Sequence, residues 1–268
     1  MLQPASITID SLHAFTAAIE QSGTEEPTWY RGCGNVSHSL QPSLYRRPGL
    51  QSADEYADLE DELNQRFRER SIPYHTLRGT SADERSWETL FLMQHFGVPT
   101  RLLDWTENPF LGLLFAMTSA HIDAHTRAAS ADACVWALQP QAWNRLALSD
   151  ITYNGDILSV DKAELESYIP GRSRNLRRKH PVAMYGLYNS ARIAAQKGVF
   201  TIFGTGTAPM EEEAALLSAQ DTLKRYVIPA DFVVPMLDAL GTMGFTDSMI
   251  YPDLMGLALE LKRKFGYM

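Results

Sequence analysis

A dense group of polar side chains lies in an otherwise apolar stretch, QHFGVPTRLLDWTENPFLGLLFA, at residues 94–116. A buried charge is costly unless it is paired and hydrogen-bonded. These side chains must therefore satisfy one another or face a ligand. The group consists of Gln94, His95, Thr100, Arg101, Asp104, Thr106 and Asn108.

Arg31, which Gly32 follows directly, is a second candidate for ligand binding. A planar guanidinium can hold a phosphate or carboxylate, and a glycine lets a ligand approach the backbone. A structural role, in which Arg31 pairs with an acid across the fold, explains the sequence equally well. For Arg101 and Asp104, the favoured interpretation is an internal ion pair that fixes a strand against the next helix.

Standard metal and nucleophile chemistries find little support in the sequence. It has no HExxH motif and no paired cysteines, so we expect no metal site. The segment GTGTAP at 204–209 lacks the Lys-Ser/Thr ending of a phosphate-binding P-loop, and no serine-hydrolase elbow occurs.

The polar group spans a helix end, a strand and a helix start. Ser81 and Glu84 form a capping-box pattern for a helix that Gly97 terminates. Residues 100–105 are typical of a strand, and Asn108-Pro109 of a helix N-terminus. Such junctions expose backbone N–H groups that can bind an anionic or polar ligand.

The other predicted elements are scattered along the chain, which favours a single α+β domain with a mainly antiparallel sheet and surrounding helices. They are a helix that Asp10 caps, a strand in TWYRGCGN at 28–35, a helix over 54–70, strands at 133–138, 199–203 and 226–228, and helices capped by Asp231 and Asp253.

Composition also limits the function. Of 268 residues, 45% are hydrophobic, and the net charge of −8 argues against a general nucleic-acid binder. The basic run RSRNLRRKH at 172–180 could bind a phosphate-bearing partner, although a solvated face is the favoured interpretation. The sequence shows neither a signal peptide nor a membrane span and has two cysteines. We therefore expect a cytoplasmic protein that does not contact membranes.

WYRG at 29–32 and the stretch at 94–116 resemble the FRG domain, a bacterial family named for its Phe/Tyr-Arg-Gly signature. The segments LQPSLYR at 40–46, ARIAAQKGVF at 191–200 and MLDALGTMGFTDSMIYPDLMGLA at 236–258 extend the resemblance over nearly the whole chain. The resemblance implies one FRG domain over residues 1–268, with a signature core at about 25–205 and a helical part at about 229–268.

The layout also resembles the ADP-ribosyltransferase fold, in which Arg-Gly on a first strand holds NAD. Asp104-Trp105-Thr106 with Phe115-Ala116 matches a triplet before a later helix, and Gln196 stands where that fold has a catalytic Glu. The acids at 211–213 are an alternative, although they also suit a helix N-terminus. This resemblance implies Arg31, Gln196 and Thr106 as catalytic residues, and Tyr30, Arg31, Gly32, Gln94, His95, Thr100, Arg101 and Asp104 as the NAD site.

The resemblances together imply a bacterial toxin or antiphage effector that uses NAD as co-substrate. It would ADP-ribosylate a protein or nucleic acid, or hydrolyse NAD, and an antitoxin or another regulatory partner would control it. A non-catalytic module that binds nucleotide or nucleic acid, relying on Arg31, Arg101 and the basic run, is the alternative.

Overall fold

The computed structural model describes residues 4–23, 26–123, 125–172, 176–187 and 191–267. In these residues the strands form a mixed seven-stranded sheet with the order β1-β7-β4-β2-β3-β6-β5. Only β1 and β7 pair in parallel; the other neighbours are antiparallel. The predicted α+β class with a mainly antiparallel sheet is confirmed.

The strands of the described residues are β1 (Ala5–Thr8), β2 (Trp29–Cys33), β3 (Leu102–Thr106), β4 (Ala133–Leu138), β5 (Val182–Met184), β6 (Gly198–Ile202) and β7 (Leu223–Ile228). The α-helices are α1 (Leu12–Gln21), α2 (Ala53–Ser71), α3 (Ala82–His95), α4 (Pro109–Ser119), α5 (Pro140–Ala147), α6 (Ala191–Ala195), α7 (Met210–Leu216), α8 (Ala230–Thr242), α9 (Asp247–Ile250) and α10 (Leu254–Lys264). None of the helices described is long and apolar enough to cross a membrane.

Helix caps place the boundaries around the polar group. Ser81 and Glu84 form the predicted capping box of α3, and Gly97 follows its end with φ +75°. The Asn108 side chain accepts hydrogen bonds from the first backbone N–H groups of α4, as predicted. Two predicted caps are wrong by position: Ser11 rather than Asp10 caps α1, and Pro229 rather than Asp231 precedes α8.

Apolar side chains fill two cores, one on each face of the sheet. Strand β4 shows the alternation of period two, because Cys134 and Trp136 face one core and Ala133 and Val135 the other. On β2, Trp29 and Cys33 enter the first core, which includes residues of α3. Tyr30 enters the second, which includes residues of α4 and α8. Arg31 therefore projects from the α3 face of the sheet.

Close packing joins β2 to α4. A Cβ atom on Gly32 would lie 2.1 Å from the carbonyl oxygen of Gly112. A Cβ on Gly112 would lie 2.8 Å from Cβ of Tyr30. The two glycines thus let the strand and the helix approach more closely than side chains permit.

Candidate functional site

A cleft opens where the central strands β2 and β3 diverge. Five positions of β2 pair with β4, but only Tyr30 pairs with β3, opposite Thr106. The cleft at this gap has a volume of about 270 Å³. The predicted site residues that line it are Tyr30, Arg31, Gly32, Gln94, His95, Asp104, Thr106 and Gln196.

Arg31 and Asp104 bridge the gap between the strands. Arg31 Nη1 donates a hydrogen bond of 2.6 Å to the backbone carbonyl of Asp104. The Asp104 carboxylate is exposed, and its Oδ2 accepts a hydrogen bond of 2.7 Å from Gln94 Nε2. A carboxylate has about four acceptor sites, so Asp104 retains capacity for a ligand. The cleft is therefore lined by both a cation, Arg31, and an anion, Asp104.

Gln94 is oriented by Thr100. The Thr100 hydroxyl donates a short hydrogen bond to Gln94 Oε1 and accepts one from the backbone of Leu102. This leaves the amide nitrogen of Gln94 directed at Asp104. Thr100 is buried and does not line the cleft, so the structure places this predicted NAD contact behind Gln94.

Arg101 also lies outside the cleft, and its predicted ion pair with Asp104 is wrong. Its side chain is fully buried and pairs with Glu60 through Nε at 2.5 Å. The two terminal nitrogens donate to the carbonyls of Phe203 and Tyr168. These bonds tie the start of β3 to α2, to Phe203 after β6 and to Tyr168, which is a structural function.

Glu60 sits between two arginines, because Arg177 Nη2 lies 2.8 Å from its other oxygen. Burial alone raises the pKa of Glu60, but attraction by Arg101 and Arg177, together with their hydrogen bonds, outweighs it and lowers the pKa. The carboxylate therefore stays ionised inside the protein. Breaking such a buried pair leaves an uncompensated charge.

Thr106 and Gln196, two predicted catalytic residues, hold the wall of the cleft together. The Thr106 hydroxyl donates 2.6 Å to the backbone carbonyl of Gln196 and accepts from the backbone of Asn108. The Gln196 amide nitrogen donates 2.9 Å to the carbonyl of Ile250. Both lie at the cleft, but these bonds commit much of their hydrogen-bonding capacity to the fold.

Tyr30 and Gly32 border the cleft mainly as parts of β2. The Tyr30 ring is in the second core, where burial and the nearby Tyr226 raise the pKa of its hydroxyl to about 12, despite a hydrogen bond with Thr28 that lowers it. Gly32 abuts α4. Gly32 of the WYRG segment therefore meets a packing requirement of the fold in addition to lining the cleft.

Arg192 and Tyr251 are cleft residues that the sequence analysis missed. The Arg192 guanidinium lies over the Tyr251 ring, 4.5 Å from its centroid. Arg192 lies four residues before Gln196, and residues at this spacing share a helix face, so the sequence contained a signal that Arg192 lies near Gln196.

His95 lies near Arg192 and has a lowered pKa. Burial lowers this pKa most, the positive charge of Arg192 lowers it further, and the negative charge of Asp253 raises it. Other missed lining residues are Phe91, Trp105, Phe115, Ser119, Ile193, Gly198 and Phe200.

The acids at 211–213, the alternative for a catalytic Glu, do not line this cleft. The carboxylate of Glu213 is buried and accepts from His180, with Nδ1 and Oε2 2.7 Å apart. Glu211 accepts from the backbone N–H of Leu40. Within the described part of the chain, no group of three or more His, Cys, Asp and Glu residues could hold a metal ion.

Intramolecular ion pairs engage much of the basic run at 172–180. Arg172 pairs with Asp83, and Arg178 with Asp150. The Arg177 side chain is only 5% exposed, so a solvated face is wrong at that position. Residues 173–175 lie outside the described residues.

Comparison with known protein families gave a match to one region of the chain. The FRG domain family matches residues 26–125, which include β2, α3, β3 and α4. This match contains Arg31, Gln94, His95 and Asp104 but not Gln196 or Arg192. Neither the curated proteins nor the solved structures gave a match. The match over residues 26–125 supports the resemblance of this chain to the FRG domain family.

Proposed function

We propose that the cleft binds NAD and that the chain is an ADP-ribosyltransferase-like enzyme. The observation that carries the proposal is the exposed Asp104 carboxylate in a cleft that Arg31 also lines, at the divergence of two central strands. Cleaving the bond between nicotinamide and ribose develops positive charge on the sugar. A fixed carboxylate stabilises such charge more in the transition state than in the ground state.

The chemical character of the lining supports a dinucleotide. Arg31 and Arg192 supply two cations for a pyrophosphate, and a guanidinium suits phosphate oxygens geometrically. Phe115 and Tyr251, two half-buried aromatic side chains of the wall, supply apolar surface against which a flat ring can pack. The volume of about 270 Å³ is close to the small end of ligand sites, so it suits one nucleoside half of the ligand, with the remainder at the open mouth.

In this mechanism Arg31 holds the pyrophosphate or the adjacent ribose, and Asp104 faces the ribose carbon that loses nicotinamide. The electrons of the broken bond leave with nicotinamide, which becomes neutral. The acceptor then attacks the ribose carbon and loses a proton. Gln196, which stands where the ADP-ribosyltransferase fold has a catalytic Glu, carries no charge. The proposal therefore assigns the electrostatic role to Asp104, which lines the same cleft.

The proposed biological setting is a bacterial cytoplasmic effector, acting as a toxin or in antiphage defence. Its target is a protein or a nucleic acid, and hydrolysis of NAD by water is the variant of the same chemistry without a macromolecular acceptor. The FRG domain is the feature that supports this setting. The ion pairs of the basic run weaken the alternative of a nucleic-acid binding module.

The test is release of nicotinamide from NAD, followed by chromatography, with bacterial lysate supplied as acceptor. Asp104→Asn keeps the shape and an oxygen that accepts from Gln94 but removes the charge, so we expect a loss of about 100-fold or more. Asp238→Asn is the matched control, because Asp238 lies on α8, is 61% exposed, pairs with Arg127 and does not line the cleft. Equal rates for the two variants, or no release by the wild type, would refute the proposal.

A further inference from the structure

A second concave surface lies between α2 and α3. We call it the α2–α3 groove, and its volume is about 570 Å³, larger than the cleft. Leu63 and Phe67 of α2 line one side, and Leu92, Phe96 and Val98 at the end of α3 line the other. Phe96 is 69% exposed, so its ring is available at the surface of the groove.

The residues beside the groove extend its apolar character. Tyr74, which also lines the groove, is 89% exposed, and Ile72 in the same segment is 72% exposed. A contiguous exposed apolar surface with a polar rim indicates an interaction site, whereas apolar residues scattered singly over a surface do not. A groove between two helices is the shape that accepts the apolar face of a third helix.

The charge of the groove indicates the chemistry of its occupant. Arg66, Arg70 and His75 line it, and none of the described lining residues carries a carboxylate, although the whole chain has a net charge of −8. Arg66 pairs with Glu62 outside the groove, but this pair is exposed and contributes little. His75 contacts Glu88, which leaves Arg70 as the principal cation.

From these features we infer that the α2–α3 groove is a docking site for an acidic amphipathic helix of a partner protein. Apolar residues of the helix pack against Phe67, Leu92 and Phe96, while its carboxylates face Arg66 and Arg70. The end of α3 belongs to both surfaces, because Gln94 and His95 line the cleft and Phe96 lines the groove. A docked helix therefore contacts a residue directly next to two cleft-lining residues of α3.

The experiment is selection of binders from a random 16-residue peptide library displayed on phage, using the full chain as bait. We expect selected peptides to carry apolar residues at helical spacing with Asp or Glu between them. Arg70→Glu and Phe96→Ser should each weaken their binding about tenfold or more. Leu254→Ser is the matched control, since Leu254 is 83% exposed on α10, outside the groove, and this variant should bind as the wild type does.

Three results would overturn the inference. The first is recovery of no binders, and the second is binders that tolerate both groove variants or that are rich in Lys and Arg. The third is sedimentation of the chain with phosphatidylglycerol vesicles that Phe96→Ser abolishes, because this would make the surface a membrane contact. Thermal unfolding of each variant confirms that lost binding does not reflect lost folding.

Discussion

Replacing Arg101 by Met separates a structural role from a ligand-binding role. The substitution removes the ion pair with Glu60 and the hydrogen bonds to the carbonyls of Phe203 and Tyr168. Breaking one side of a buried ion pair costs about 3–5 kcal/mol. Since 1 kcal/mol shifts Tm by about 2–4 °C in domains of this order of size, we expect Tm to fall by roughly 6–20 °C. Arg177 still faces Glu60 in the variant, which favours the lower half of the range.

The assay is unfolding in urea and on heating, followed by circular dichroism at pH 7. Arg66→Met is the matched control, because Arg66 also forms an ion pair, with Glu62, but its side chain is 61% exposed. Such exposed pairs contribute about 0.2–1 kcal/mol, so Arg66→Met should change little. If Arg101→Met is as stable as Arg66→Met, the structural assignment of Arg101 is wrong. If Arg101→Met loses NAD binding while its stability is unchanged, Arg101 binds the ligand, as the resemblance implies.

Three further predictions concern packing and protonation. Gly32→Ala forces a Cβ into the backbone of α4 and should destabilise the fold by about 2 kcal/mol or more in urea unfolding, whereas Gly241→Ala, with open space in α8, should be neutral or stabilising. Because the pKa of Glu60 is lowered in the folded state, its stabilisation is present above the unfolded pKa and disappears as pH falls through the folded pKa. Glu60→Gln should therefore flatten the loss of stability on acidification below about pH 4.5, and an unchanged acid profile would contradict this. Arg192→Gln removes a positive charge near His95, so the His95 pKa measured by NMR titration should rise. An unchanged pKa would mean that Arg192 lies too far from His95 to affect its protonation.

The local rules of helix capping and hydrophobic periodicity predicted much of the fold. Asn108, Ser81 and Gly97 act as predicted because their effect depends only on neighbouring backbone atoms. Strand β1 was missed because its four residues are exposed and gain their order from pairing with β7, more than 200 residues later. The short β5 likewise depends on β6 and lies in a region without clear periodicity.

The neighbourhood of the candidate site was predictable from the sequence, but its individual contacts were not. Polar residues at the end of α3 and in β3 line one cleft with Arg31, as the resemblance to the ADP-ribosyltransferase fold implies. Which of them face the cleft depends on distant partners: Arg101 turns to Glu60, which lies 41 positions earlier in the chain. Arg192 and Tyr251 reach the cleft only through tertiary packing of α6 with the segment after α9.

The most direct test of the central claim is calorimetric titration of NAD into the wild type, Arg31→Ala and Arg145→Ala. Arg145 is a suitable control because it is 46% exposed, pairs with Glu26 and does not line the cleft. We predict saturable binding at one site in the wild type and in Arg145→Ala, weakened about tenfold or more in Arg31→Ala, which corresponds to 1.4 kcal/mol. Absence of binding in the wild type, or equal affinity in all three proteins, would contradict the assignment of the cleft as an NAD site.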